Sequence, residues 1–282
     1  MVEFALLASG FSAVEGPTVD DHGGLYFSDV FEGGVFRLTP SGDVETVVPR
    51  RKGTGGICLH ADGGIVVAGR DVSLVVDGRS EVLLAREDIA GDPHGVAGFN
   101  DLGADDQGRI FAGAIRRDAT GELRDCDLVM IDKRREGSSI YGGIGLPNGV
   151  ATSPDGRWLY HADTDRKTIA VVDLAADPPS LARNISVASL PGSPDGMATD
   201  EEGFLWVALY QGGHVARLSP EGDVDRQIAV PAASPLSVCF VGADLQDLVV
   251  VTMDNTEKPA LRGCVLKTSV GVRGAPVPRA KI

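Results

Sequence analysis

The chain has 282 residues, with 43% hydrophobic and 23% charged residues and a formal net charge of −14. Its Lys and Arg form no basic stripe, so a phosphate backbone is repelled and nucleic acid is excluded as a partner. No apolar run approaches the ~18 residues of a membrane helix, and residues 1–10 lack the basic start of a signal peptide. Membrane partners are therefore not expected, and the location expected is cytoplasmic.

In chain order, one phrase recurs: apolar residues, an Asp- or Pro-containing turn with Gly, then a β-rich run. It occupies residues 19–27, 59–67, 104–111, 152–160 and 199–207, with a degenerate sixth copy at 241–250. Each copy reads as a hairpin whose turn Gly supplies the positive φ. The turn glycines are Gly23, Gly63, Gly108, Gly156 and Gly203, giving steps of 40, 45, 48 and 47 residues. Periods of about 40 to 50 residues with several strands each mark propeller blades. Further strand-like runs follow the hairpins. A Val-x-Arg-Leu phrase sits at matching places in the first copy (Val35, Arg37) and the fifth (Val215, Arg217). No amphipathic stretch argues for a long helix. The fold expected over 1–282 is one all-β domain, a six-bladed β-propeller with four-stranded antiparallel blades around a central channel. The cysteines Cys58, Cys126, Cys239 and Cys264 lie far apart and are expected reduced and buried.

The repeat supplies a register. Eight residues before the turn Gly stand Glu15, Asn100, Asn148 and Asp195 in copies one, three, four and five; copy two has Gly55, and copy six aligns near Leu236. Each of the four is followed by Gly or Asp. The first strand of a blade lies innermost, so these side chains converge on the channel axis. Buried oxygens without partners are costly, and adjacent carboxylates repel unless a cation lies between them. Oxygen donors suit a hard divalent ion, so Glu15, Asn100, Asn148 and Asp195 are the expected metal ligands.

The segments Glu15-Gly16-Pro17, Phe99-Asn100-Asp101, Leu146-Pro147-Asn148-Gly149 and Pro194-Asp195-Gly196 carry a resemblance, together with Gly108-Arg109-Ile110-Phe111-Ala112-Gly113. They resemble the senescence-marker-protein/gluconolactonase family, to which regucalcin and bacterial sugar lactonases belong. The likeness spans roughly residues 10 to 255. It implies a six-bladed propeller with one catalytic divalent metal held by Glu15, Asn148 and Asp195, and an active-site Asn at Asn100. Ca²⁺ is the ion expected first, with Mg²⁺, Mn²⁺, Zn²⁺ and Fe²⁺ as alternatives. Family members acting on sugar acids carry an Arg two residues before that Asn, where this chain has Gly98. Gly98 and Phe99, with Asn100, are the expected substrate contacts, for a less polar or differently shaped ligand.

The activity expected is metal-dependent hydrolysis of a lactone, with a metal-held water as nucleophile and Asp195 and Asn100 as catalytic residues. The partner is a small lactone or ester, and the chain a monomer or weak homo-oligomer. Alternatives are an organophosphate or aryl-ester hydrolase on the same ion, a non-catalytic cation-binding propeller, or a metal-dependent isomerase or lyase. His161 reads as a structural histidine, and Trp158 and Trp206 as core. His22, His94 and His214 receive no role.

Overall fold

A computed structural model describes residues 2–89, 95–253 and 261–282. Strand β1 (Ala5–Ala8) opens the chain. Blade one is β2 (Val14–Val19), β3 (Leu25–Asp29), β4 (Gly34–Leu38) and β5 (Val44–Pro49). Blade two is β6 (Ile57–Leu59), β7 (Ile65–Val67), β8 (Val72–Val76) and β9 (Arg79–Leu84). Blade three is β10 (Gly98–Ala104), β11 (Ile110–Ile115), β12 (Cys126–Ile131) and β13 (Gly137–Ile144). Blade four is β14 (Pro147–Thr152), β15 (Trp158–Asp163), β16 (Thr168–Asp173) and β17 (Ser180–Ser186). Blade five is β18 (Ser193–Thr199), β19 (Leu205–Tyr210), β20 (His214–Leu218) and β21 (Val224–Ala229). Blade six combines β22 (Pro235–Val241), β23 (Asp247–Thr252) and β24 (Val265–Ser269) with β1, in the order β1-β24-β23-β22. The all-β six-bladed propeller expected from the repeat is what the chain forms. The expectation did not extend to how the ring closes. Strand β1 pairs antiparallel with β24, Ala5 opposite Lys267 and Leu6 opposite Leu266, so the two ends of the chain share one sheet.

The recurring Asp explains the recurring hairpin. Asp20 accepts from the backbone N–H of His22 (2.9 Å) and Gly24 (2.8 Å), and Asp105 and Asp200 do the same for their own turns. Such side-chain-to-backbone bonds hold the turn that a Gly of positive φ completes. The Val-x-Arg-Leu phrase has its reason here too. Arg37 on β4 donates to Asp20 at 2.8 and 2.9 Å, and Arg217 on β20 donates to Asp200 at 2.8 Å. Asp200 also accepts from the Trp206 indole N–H at 2.9 Å, which fixes that fully buried ring. All four cysteines are free and buried.

Apolar side chains pack between neighbouring blades. At the closing seam, Val14, Leu25 and Phe27 of blade one meet Cys239, Val241, Val249 and Val251 of blade six. Phe11 meets Phe27 edge-on across 5.0 Å there, a geometry that adds to plain burial. After β24 the tail crosses the face where the innermost strands end. It bonds Thr199 and Glu201 of blade five, Leu245 of blade six, Leu59 and Ala61 of blade two and Gly108 of blade three. Arg279 reaches Asp21 of blade one at 2.5 Å. The tail thus floors a channel chamber of about 940 Å³, which Thr18, Asp101, Thr152, Thr199 and Ser237 help to line. Among the described residues no helix is long and apolar enough to cross a membrane.

Candidate metal centre

Glu15, Asn100, Asn148 and Asp195 stand at the second or third residue of β2, β10, β14 and β18, each the innermost strand of its blade. The pairing register slips at the same place in all four: between Glu15 and Thr18, Phe99 and Leu102, Pro147 and Val150, and Pro194 and Met197. A bulge re-aims side chains and releases the strand from its neighbour. The ring residue therefore leaves the regular ladder at the head of the channel.

The glycine after the ring residue is set by close approach. A Cβ on Gly149 would lie 2.5 Å from the Asp195 carbonyl oxygen and 2.7 Å from Gly196 Cα. One on Gly56 would lie 2.2 Å from the Leu102 backbone nitrogen. Successive innermost strands thus touch through bare backbone, which draws the ring together. Only glycine permits that spacing.

Blade three departs from the pattern with Asp101 where the other blades have Gly16, Gly149 and Gly196. Asp101 is buried and its Oδ1 has no hydrogen-bond partner. Glu15 Oε2 and Asp195 Oδ1 are orphaned in the same way. Burial and then the Asp101 charge push the Glu15 carboxyl up to about 8. Burial alone pushes Asp101 up to about 7. Asp195 is held well above the carboxylate range by burial and by the charges of Glu15 and Asp101, against a bond from the Gly196 backbone. Three carboxyl groups that cannot share negative charge without a counter-ion stand together.

The amides are oriented by the protein. Asn100 Nδ2 donates to the Pro147 carbonyl at 2.9 Å and to Asn148 Oδ1. Asn148 Nδ2 donates to Thr164 Oγ1 at 2.6 Å, and Thr164 donates onward to the Pro194 carbonyl at 2.7 Å. Both NH₂ groups are engaged, which leaves the amide oxygens as the atoms available to a cation. Among the described residues no three His, Cys, Asp or Glu side chains converge closely enough to hold an ion by themselves. An ion at this ring would therefore need the asparagine oxygens as well. The donor set fits a hard divalent cation: all oxygen, with an unpartnered oxygen on each of Glu15, Asp101 and Asp195, and carrying a charge that burial alone does not tolerate.

The structure brings the four predicted ring residues to one end of one channel. Of the substrate contacts expected beside Asn100, Phe99 lies on the core side of its strand. Phe99 is 2% exposed and packs in the core between blades two and three, because alternate strand residues face opposite sides. Gly98 faces the Asn100 side, but a Cβ there would lie 2.9 Å from the Gly69 carbonyl oxygen, so backbone fills that place. Two residues escaped the sequence reading. Asp101 was visible only as the one acidic residue at the glycine position, and Thr164 belongs to a different strand register. His161 is fully buried, its Nδ1 lies 2.5 Å from the Tyr141 hydroxyl, and burial depresses it to about 3, as a structural histidine requires. His94 lies outside the described residues.

Residues 13–254 match the model of the SMP-30/gluconolactonase/LRE-like region. The chain belongs to that family. It is 33% identical over 269 residues to a 6-deoxy-6-sulfogluconolactonase of Pseudomonas putida, covering 90% of this chain and 89% of that protein. It is 29% identical over 245 residues to the pentonolactonase XacC of Haloferax volcanii, covering 84% and 80%. In structure it matches a calcium-binding regucalcin of Agrobacterium tumefaciens with a TM-score of 0.85 at 19% identity, over 100% of this chain and 98% of the other, which shows the shared propeller fold.

Proposed function

We propose that this SMP-30/gluconolactonase family chain is a divalent-metal-dependent hydrolase that opens a sugar lactone to its hydroxy acid. The observation that supports it most is the ring itself: three carboxyl groups, each with one buried and unpartnered oxygen, beside two oriented amides. The family's relatives named as lactonases supply the reaction class. Glu15, Asn148 and Asp195 would hold the ion, with Asn100 beside them, and Ca²⁺ heads the candidates by donor type. A bound divalent ion supplies Lewis-acid polarisation of the ester carbonyl, worth several kcal/mol.

The chain's own groups do the rest. Asn100, its NH₂ group locked to Pro147 and Asn148, has only its amide oxygen to offer and accepts from a lactone hydroxyl without adding charge. Asp195 takes a proton from the attacking water and returns it to the ring oxygen as the acyl C–O bond opens. Water adds across that bond, and the product is one hydroxy acid. Glu15 holds charge opposite Asp195 and takes no proton from substrate.

The test is turnover of sugar, aliphatic and aromatic lactones by chelator-stripped protein, with each divalent ion added back in turn. Turnover should vanish on stripping and return with one preferred ion. Asp195→Ala should lower kcat by at least ~10²-fold, the contribution of a positioned base. Full activity of a folded Asp195→Ala variant, or of the stripped protein, would overturn the assignment.

A further inference from the structure

One buried hydroxyl stands behind the ring. Thr164 lies in the turn between β15 and β16 and is buried. Its backbone N–H donates to the Leu146 carbonyl at 3.0 Å. The preceding residue, Asp163, accepts from the N–H groups of Gly145 and Leu146 at 3.0 and 3.3 Å. These bonds fasten the turn to the segment that enters β14, just ahead of Asn148.

The Thr164 hydroxyl has a single proton, and it goes to the Pro194 carbonyl at 2.7 Å. A carbonyl only accepts, so Thr164 Oγ1 meets Asn148 with a lone pair. It can take only the NH₂ group of that amide, which donates to it at 2.6 Å. Asn148 Oδ1 is thereby turned toward Asn100, whose own NH₂ group it accepts. Asn100 Nδ2 also donates to the Pro147 carbonyl at 2.9 Å, a second group that only accepts. The bonds run in one direction, from Asn100 through Asn148 and Thr164 to the carbonyl of the residue before Asp195. They join blades three, four and five. Reversing Asn148 would set its NH₂ group against that of Asn100 and draw the Thr164 proton off the Pro194 carbonyl. Mismatches of that kind are costly where water is absent.

We propose that Thr164 is a positioning residue of the metal centre: anchored on the Pro194 carbonyl, it fixes the Asn148 amide oxygen toward the ring and so sets the affinity for a divalent ion. This rests on the metal-centre reading above and assigns part of that affinity to a residue outside the ring. A cation attracts an amide oxygen and is repelled by an NH₂ group, so a partner that fixes the direction of the amide strengthens binding.

The experiment titrates chelator-stripped protein with Ca²⁺ and with Mn²⁺ by calorimetry, for wild type, Thr164→Val and Thr164→Ser. Val keeps the shape and removes the hydroxyl, whereas Ser keeps the hydroxyl. Thr164→Val should bind the preferred ion about tenfold to a hundredfold more weakly, the usual cost of losing a partner behind a ligand. Thr164→Ser should recover most of that affinity. A double-mutant cycle separates positioning from a merely structural role. In the Asn148→Ala background Thr164→Val should cost no further affinity, because its effect runs through that amide. Unchanged affinity in Thr164→Val, equal losses in the Val and Ser variants, or a full further loss in the Asn148→Ala background would each overturn the inference while wild-type binding keeps the metal centre. Wild-type protein that binds neither ion would overturn the metal centre and this inference with it. A metal-free readout stands beside these. In chelator, NMR should show the Asn148 NH₂ protons protected from solvent exchange in wild type and Thr164→Ser, with the protection lost in Thr164→Val; equal protection in all three would again overturn the inference.

Discussion

At the scale of single residues, the ring carboxyls make the metal-free protein sensitive to alkaline pH. Glu15 is pushed up to about 8 by burial and by Asp101, so between roughly pH 4.5 and 8 the unfolded chain has lost a proton that the folded chain retains. Stability falls wherever the unfolded state binds fewer protons. The Glu15 contribution is intact below its unfolded value and is lost as pH rises through the folded one. Glu15→Gln removes this liability. In chelator, its melting temperature should equal wild type at pH 5 and exceed it at pH 8 by at least ~2 °C, the shift expected of about 1 kcal/mol. Saturating divalent ion should reverse the ranking at pH 8. Parallel melting curves of the two proteins across this range in chelator would show that Glu15 is not held in a charge-intolerant setting.

At the scale of elements, the bulge and the glycine within it draw the innermost strands of blades one, four and five into contact with their neighbours. A Cβ at Gly149 would press on the backbone of Asp195 and Gly196. Gly149→Ala should therefore cost about 1–3 kcal/mol, typical of overpacking, and should weaken metal binding by shifting Asp195. Calorimetric metal titration beside thermal melting checks both; unchanged metal affinity would mean that the strands are not held at contact. Much of this was legible in the sequence. Turn glycines gave the period, the period gave a register, and the register exposed Glu15, Asn100, Asn148 and Asp195. Asp101 was hidden because it follows a motif residue and has its character only in three dimensions, where it meets Glu15 and Asp195. Phe99 was misjudged because adjacency in sequence to Asn100 places a strand residue on the opposite face.

At the scale of the whole molecule, the two ends of the chain hold the ring closed in different ways. Strand β1 completes blade six, and the tail ties blades one, two, three, five and six together across the far face. The proposed metal ring would act at the near end, where blades one, three, four and five would each supply a donor. An ion there would join four blades, so its affinity and the stability it confers report on the same oxygens. The most direct test is calorimetric titration of the chelator-stripped protein with Ca²⁺ and with Mn²⁺, alongside Glu15→Gln, Asn148→Ala and Asp195→Asn. One ion per wild-type chain, with affinity lowered at least ~10-fold in every variant, a loss of about 1.4 kcal/mol or more, is the result expected. Binding that survives all three substitutions, or wild-type protein that binds neither ion, would contradict a metal centre built from this ring.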